Sequence, residues 1–548
     1  MTRRLLEIEG LNISFGHYSV VRDLSLSLAP SEKLAIIGES GSGKSVTAMA
    51  ILRLLDHSAT ATGEIRFDGK DILSLSAKEM KDIRGRRIAM IFQDPMTSLN
   101  PVFTIFRQLS DVLKAHEIET PEGRRAHLAG LLAQVGIRDP DHCLSLYPHQ
   151  LSGGMRQRVM IALAIACDPD ILIADEPTTA LDVTVQVQIT RLLISLCEQR
   201  GLGLMFISHN LDLVGEFADR IAVMQNGECV EQGTAEQVMG NPQAPYTRRL
   251  LAAIPRLSAA AAPTAPAETG KVVLETWQAS KSYPRARSGL ARLFDKSMTN
   301  ALTPTDLKIR EGEVIGIVGE SGSGKSTLAR LLIGLDKPTT GSVMLEGHEL
   351  SLGSRKDRIR LSGIMQLVFQ GSQTSLNPRK TIRRALIEAG RAAGNAVSAS
   401  PEDLMRQVKL DPALLDRFPH QLSGGQRQRI GIARALSTRP AILIADEPTS
   451  ALDVSIQKEI IELLKTLHRE LGMTMVVISH DLGLIGTMCD RVAVMQAGRI
   501  VEQGPAGQIL SAPQNEYTRT LIDAVPQGIK GRERYASRAG PQPALSAP

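Results

Sequence analysis

Short, unbroken apolar runs punctuate this chain, and each gives way abruptly to polar or glycine-rich residues. Leu34-Ala35-Ile36-Ile37 runs into a glycine-rich stretch, Ile171-Leu172-Ile173-Ala174 into Asp175, and Leu204-Met205-Phe206-Ile207 into Ser208 and His209. A second set, Val314 to Val318, Ala441 to Ala445 and Met475 to Ile478, has the same endings. Continuous apolar runs of this length suit strands buried on both faces, as in a parallel sheet covered by helices, and so predict an α/β fold. A buried helix segment is the alternative for any one run. Flanking glycines and the repeated strand-then-motif order favour strands. Ligands of such sheets gather at the carboxyl ends of the strands, which is where the polar residues stand.

Two copies of one pattern organise the chain. GESGSGKS begins at Gly38 and Gly319, LSGG at Leu151 and Leu422, IADEPT at Ile173 and Ile444, ALDV at Ala180 and Ala451, and ISH at Ile207 and Ile478. The copies are 281 positions apart at Lys44 and Lys325, and 271 apart through the later motifs. That separation marks a duplicated domain, since solenoid repeats are only about 20 to 50 residues long. The expected domains are residues 1–256 and 272–526. An Ala/Pro-rich linker at 257–271 joins them, and residues 527–548 read as a disordered, slightly basic tail.

Composition changes this picture little. A chain of 548 residues is expected to hold two large domains or more, and 43% hydrophobic with 22% charged residues is ordinary for globular cores. A net charge of +5 against 63 basic and 58 acidic residues gives little reason to expect a nucleic-acid partner. No apolar run reaches about 18 residues, and charges interrupt the N-terminus before a signal core forms, so a cytoplasmic protein without membrane spans is expected. The five cysteines, Cys143, Cys167, Cys197, Cys229 and Cys489, form no C-x-x-C pair. Neither a disulfide framework nor a zinc site is therefore expected.

The repeated motifs carry phosphate chemistry. Gly38-Glu39-Ser40-Gly41-Ser42-Gly43-Lys44-Ser45 is a P-loop pattern placed after a predicted strand and before the helical-looking Val46 to Arg53. Its glycines let backbone N–H groups turn toward phosphate oxygens, and the following helix adds its positive end. Lys44 is expected to reach the β- and γ-phosphates and Ser45 to ligate Mg²⁺. Gly319-Glu320-Ser321-Gly322-Ser323-Gly324-Lys325-Ser326-Thr327 repeats those roles. Asp175 and Asp446 end apolar strands, as Mg²⁺-holding aspartates do, and Glu176 and Glu447 follow as carboxylates placed to polarise an attacking water. The bland reading makes these acids helix caps. The strand-end histidines His209 and His480 make a site the better account.

The order P-loop, Gln93, LSGG, IADE, ALD, ISH resembles the full motif set of ATP-binding cassette (ABC) proteins, in both halves and over nearly the whole chain. LSGG discriminates, because other P-loop enzymes lack it. The resemblance implies that each domain has a RecA-like parallel-sheet core, an antiparallel β subdomain and a helical subdomain, with ATP and Mg²⁺ as cofactors. It implies head-to-tail sharing of ATP: Lys44 with Ser423, Gly424 and Gly425, and Lys325 with Ser152, Gly153 and Gly154. Matching positions make Phe15 and Tyr283 adenine-stacking aromatics, although core packing would also suit them. Gln93 and Gln370 match the Q-loop, which contacts the metal and senses a membrane subunit. Asp182 and Asp453 match the D-loop between sites, and His209 and His480 the switch histidines.

There are departures from the family pattern. Val46 replaces a threonine, Met155 stands where a polar residue usually follows LSGG, Gly371 replaces the aspartate seen as Asp94, and Asn210 differs from Asp481. None removes a metal ligand, base or switch histidine, so two hydrolysis-competent sites are expected.

Gln93-Asp-Pro-Met-Thr-Ser-Leu-Asn-Pro101 and Gln370-Gly-Ser-Gln-Thr-Ser-Leu-Asn-Pro378 resemble the segment after the Q-loop in ATPases of dipeptide and oligopeptide importers. Pro245-Tyr-Thr-Arg-Arg-Leu-Leu and Glu516-Tyr-Thr-Arg-Thr-Leu-Ile resemble the closing helix of the same group. Fused double cassettes occur among glutathione importers and microcin C (Yej)-type peptide importers. The implied partners are two integral membrane permeases and an extracytoplasmic solute-binding protein, with the chain peripheral at the cytoplasmic face of a bacterial inner membrane. Many members carry a cysteine cluster for an iron–sulfur centre after the cassette; none is seen, so no cluster is expected. Tandem cassettes also serve translation and DNA repair. Those carry a long charged helical linker or zinc-finger cysteine pairs, and this chain shows neither.

Overall fold

A computed structural model describes the chain except for residues 1–3, 119, 121–122, 179–180, 255–269, 285–297, 351–353, 370–375, 393–398, 451 and 534–548. Gln370, most of the expected linker and residues 534–548 of the expected tail thus lie outside the described residues. The chain divides into two compact units, Met1–Ala253 with Pro526 onward, and Ile254–Val525.

The first unit is built on a six-stranded sheet. Its order is Glu228–Thr234, Arg220–Gln225, Lys33–Ile37, Gly203–Ser208, Ile171–Asp175, Ile88–Ile91. All neighbours pair in parallel except the edge strand Glu228–Thr234. Ile171–Asp175 and Gly203–Ser208 are buried at every position, which explains their continuous apolar character: neither face meets water. The second unit repeats the arrangement with Met365–Val368, Ile442–Asp446, Thr474–Ile478, Val314–Val318, Arg491–Gln496 and Arg499–Pro505. Every apolar run expected to be a strand is one.

A four-stranded antiparallel sheet, ordered Tyr18–Leu28, Leu6–Phe15, Ala59–Phe67, Lys70–Asp71, shares its apolar core with the parallel sheet. Alternation along Leu6–Phe15 slips after Ile8: Leu6 and Ile8 are buried, then Leu11 and Ile13. A shift in strand register absorbs the extra residue, with Gly10 in the left-handed region at φ 57°. Gly63 opposite has φ 102°, and a Cβ there would lie 2.4 Å from the Gly10 carbonyl oxygen. A helical block comprising Ile105–Ala115, Arg124–Gln134, Pro140–Ser145 and Gly153–Ile165 comes between the strands Ile88–Ile91 and Ile171–Asp175. Each unit is therefore an α/β domain with a parallel core, an antiparallel subdomain and helices, as expected.

Residues 527–533 of the expected tail depart from expectation. Gly528–Gly531 forms a short 3-10 turn against the helices Leu211–Phe217 and Ala235–Gly240 of the first unit. The Gln527 N–H donates to Glu216 Oε1 at 2.8 Å, and Arg532 donates to the Gly215 and Ala218 carbonyls and pairs with Glu236 at 2.7 Å. Gly528 and Gly531 read as flexibility in the sequence. Here they permit close approach, since a Cβ on Gly531 would lie 2.3 Å from Glu216 Oε1. Arg532→Ala is expected to lower the stability of this unit by about 1 to 2 kcal/mol, the worth of its charge-assisted hydrogen bonds. A lower urea midpoint for the first unfolding transition checks this.

Candidate functional site

The carboxyl ends of four adjacent strands meet in each unit. In the first, Lys33–Ile37 leads into the P-loop, Gly203–Ser208 into His209, Ile171–Asp175 into Glu176, and Ile88–Ile91 toward Gln93. Gly43 precedes the helix Lys44–Ile51 in the left-handed conformation (φ 100°) without any side-chain cap, which leaves first-turn N–H groups for an anion. Gly324 does the same for Lys325–Leu332. Gly38 must be glycine: a Cβ would sit 2.2 Å from the Met224 carbonyl oxygen. Lys44 is buried, and its Nζ donates to the carbonyls of Gly38 and Glu39, both at 2.8 Å. Lys325 donates to Gly319 at 2.7 Å and Glu320 at 2.8 Å.

The acids converge on these loops. Ser45 Oγ donates to Asp175 Oδ1 at 2.9 Å. Burial lifts the Asp175 carboxyl to about 6, against the lowering effect of the Ser45 hydroxyl, and burial likewise raises Asp446. Asp446 Oδ1 and Ser323 Oγ are both buried without a hydrogen-bond partner among the described residues. Such orphaned oxygens fit a hard cation and a phosphate respectively. Glu176 and Glu447 both occupy the left-handed region, at φ 44° and 50°, although neither is glycine. Their N–H groups extend the sheet ladder to the carbonyls of Ile207 (3.0 Å) and Ile478 (2.9 Å), which over-determines a backbone conformation that costs about 1 to 3 kcal/mol.

The strained backbone presents each carboxylate to its neighbours. Gln93 Nε2 donates to Glu176 Oε2 at 2.7 Å, while His209 Nδ1 stands 3.5 Å from Oε1. His480 Nδ1 is 2.8 Å from Glu447 Oε1; a carboxylate only accepts, so Nδ1 carries the proton in that contact. Residues separated by up to 116 positions are thus brought to one carboxylate in the first unit. Gln370, the Gln93 counterpart, lies outside the described residues.

LSGG opens a helix in each unit. Ser152 Oγ accepts the Met155 N–H of Gly153–Ile165 at 3.3 Å, and Ser423 Oγ accepts the Gln426 N–H of Gly424–Leu436 at 3.3 Å. Only the second has a full capping box, because Gln426 Oε1 accepts the Ser423 N–H at 3.0 Å and Met155 has no acceptor to offer. Met155→Gln is therefore expected to raise the first unit's melting midpoint by roughly 1 to 3 °C. Differential scanning calorimetry reads it. Gly154 and Gly425 bring these helices close to a neighbour, since a Cβ on Gly425 would meet Ile456 Cγ2 at 2.7 Å. Asp182 and Asp453 precede the helices Val183–Arg200 and Val454–Leu471 without spending their side chains as caps.

Comparison with known proteins bears on this geometry. The family described as ABC transporter matches residues 21–179 and 302–450, and the family described as oligopeptide/dipeptide transporter, C-terminal region, matches 230–278 and 501–548. An uncharacterized ABC transporter ATP-binding protein YejF of Escherichia coli (strain K12) is 43% identical over 95% of this chain and 99% of its own length. The chain belongs to the ABC transporter family. A peptidoglycan transport ATP-binding protein YejF of Agrobacterium fabrum (strain C58 / ATCC 33970) is 43% identical, covering 95% of this chain and 96% of the relative. The glutathione import ATP-binding protein GsiA of Escherichia coli O157:H7 is 43% identical over 97% of this chain and 91% of its own. As an ABC ATPase the chain binds and hydrolyses ATP, and its two units are ABC cassettes. Among the described residues no helix is long and apolar enough to cross a membrane.

The difference between Asn210 and Asp481 has a structural answer. Both cap the helix after the strand-end histidine: Asn210 Oδ1 accepts the Leu213 N–H at 3.0 Å, and Asp481 Oδ1 accepts those of Gly483 and Leu484 at 2.8 and 3.1 Å. Either residue type suits that role. Phe15 is half-buried against the core of the first cassette. Tyr283 donates its hydroxyl to Asp336 at 2.7 Å, with Lys281 Nζ 5.3 Å from its ring centroid. Sequence reasoning assigned no site role to Tyr246 and Tyr517, whose hydroxyls reach the two P-loops. The signal was present, for they too are 271 positions apart.

Proposed function

We propose that this ABC ATPase powers uptake of peptides and peptide-bearing solutes through two integral membrane permeases carried by other chains. Cargo is delivered by an extracytoplasmic solute-binding protein, and the chain works peripherally at the cytoplasmic face of a bacterial inner membrane. The supporting observation is the match to the oligopeptide/dipeptide transporter C-terminal region in both cassettes. The relatives named for peptidoglycan transport and glutathione import agree in chemistry, since both solutes contain peptide bonds.

In this reading Lys44 and Lys325, each keeping the first loop carbonyl as a partner, reach the β- and γ-phosphates of ATP with their remaining donors. Ser45 with Asp175, and Ser326 with Asp446, would hold Mg²⁺ together with Gln93 and Gln370; the buried orphan oxygen of Asp446 supports that fit. Bound Mg²⁺ neutralises charge on the phosphates. Glu176 and Glu447 orient the attacking water and take its proton, while Gln93 and the two histidines hold the carboxylates in place. Phe15 and Tyr283 serve adenine, and Ser152, Gly153, Gly154, Ser423, Gly424 and Gly425 supply N–H donors to γ-phosphate.

The test is affinity purification of the full chain from membranes of its native host, followed by uptake of labelled peptides in a deletion strain. Two co-purifying permeases and lost peptide uptake support the proposal. Ribosome association without permeases overturns it in favour of a soluble tandem cassette.

A further inference from the structure

We propose that Tyr246 and Tyr517 are positioning residues of the two nucleotide sites, each locking the peptide unit on which the P-loop lysine rests. The inference rests on the reading of Gly38–Ser45 and Gly319–Ser326 as nucleotide loops. The Glu39 N–H donates to Tyr246 Oη at 3.2 Å, and the Glu320 N–H donates to Tyr517 Oη at 3.1 Å. The peptide between Gly38 and Glu39 carries that N–H on one side and the Gly38 carbonyl on the other. Lys44 Nζ donates to this same carbonyl at 2.8 Å, and Lys325 Nζ donates to the Gly319 carbonyl at 2.7 Å. Because the peptide is planar, its N–H and C=O turn together. A tyrosine holding one end therefore fixes the orientation of the other, and with it the lysine.

The tyrosines are themselves held. They lie on the short helices Pro245–Ala253 and Glu516–Asp523. Glu231 pins the entry to the first, accepting the N–H groups of Gln243 at 2.7 Å and Ala244 at 3.1 Å. Glu502 pins the second, accepting those of Gln514 at 2.7 Å and Asn515 at 3.2 Å. Arg248 Nη2 and Arg519 Nη2 donate to the Gln243 and Gln514 carbonyls, each at 2.9 Å. The same constellation occurs in two cassettes whose P-loop lysines and later motifs are separated by different offsets. General packing of a terminal helix needs only the ring. A hydroxyl aimed in both cassettes at the same loop N–H serves the loop. Preorganising the loop lowers the ordering cost that ATP binding otherwise meets.

Tyr246→Phe and Tyr517→Phe keep the ring and remove the hydroxyl, and with it the acceptor of the loop N–H. In the full chain each is expected to weaken binding of a fluorescent ATP analogue at its own site by about three- to tenfold. KM for ATP rises in parallel, and kcat changes less than twofold. The thermal unfolding midpoint stays within a degree or so of the unmodified protein. In a Lys44→Ala background the Tyr246→Phe effect disappears, because both side chains act on one peptide unit. Unchanged affinity in both Phe variants overturns the proposal, as does an effect of the same size in the Lys44→Ala background. Should a Phe variant fail to fold, Glu231→Ala and Glu502→Ala loosen the helix without touching the ring. Weaker analogue binding in these supports the proposal, and unchanged binding overturns it. Failure of the unmodified chain to bind the analogue would instead sink the reading of the loops as nucleotide sites.

Discussion

Glu447→Gln is expected to leave ATP binding intact and to slow hydrolysis at the second cassette by roughly 10²- to 10⁴-fold. The substitution is isosteric, so the backbone of residue 447 keeps its left-handed conformation and its N–H bond to Ile478. What is lost is the negative charge facing His480 Nδ1, and with it the proton acceptor proposed for the attacking water. Glu176→Gln does the same at the first cassette, where Gln93 and His209 flank the carboxylate. Phosphate release by the full chain is the measurement. Each single variant should lose at least about half of the steady-state rate if the sites work independently, and more if they are coupled. Full activity in either variant would mean that its cassette does not hydrolyse, and the claim of two competent sites would fail.

The second large effect falls on binding. Lys44→Ala or Lys325→Ala is expected to weaken ATP at the affected site by about 10- to 150-fold, which corresponds to a charge-assisted hydrogen bond of roughly 1.5 to 3 kcal/mol. Both lysines are buried at the P-loop, and in each cassette the ammonium is held by loop carbonyls. The site is therefore poised around a fixed positive charge, and alanine leaves a cavity lined by carbonyl dipoles that repel phosphate. Equilibrium titration with a fluorescent ATP analogue should resolve one weak and one unaltered class of site in each single variant. Two unaltered classes would remove the lysines from phosphate binding.

Much of this architecture is local in origin and so was legible along the chain. Continuous apolar runs such as Ile171 to Ala174 can only be buried on both faces, and all of them are strands of the parallel sheets. The P-loop glycines are legible for a similar reason. Gly38 and Gly319 sit where a side chain would collide with a backbone carbonyl, so only one residue type serves there. By contrast, Gln527 to Glu533 reads as loose tail in the sequence because glycine and polar residues give the same signal there as in a close-packed strap. The distinction lies in Glu216 and Glu236, some three hundred positions away in sequence.

The sequence by itself determined two α/β cassettes, their motifs and their family, because strand burial, glycine geometry and duplication each leave a mark within a few residues. Only the tertiary structure decided which groups meet. It brought Gln93 and His209 to the Glu176 carboxylate, and it tied Tyr246 to the peptide beneath Lys44. Sheet order and side-chain direction create such contacts between distant positions, and neither is written in any local run of residues.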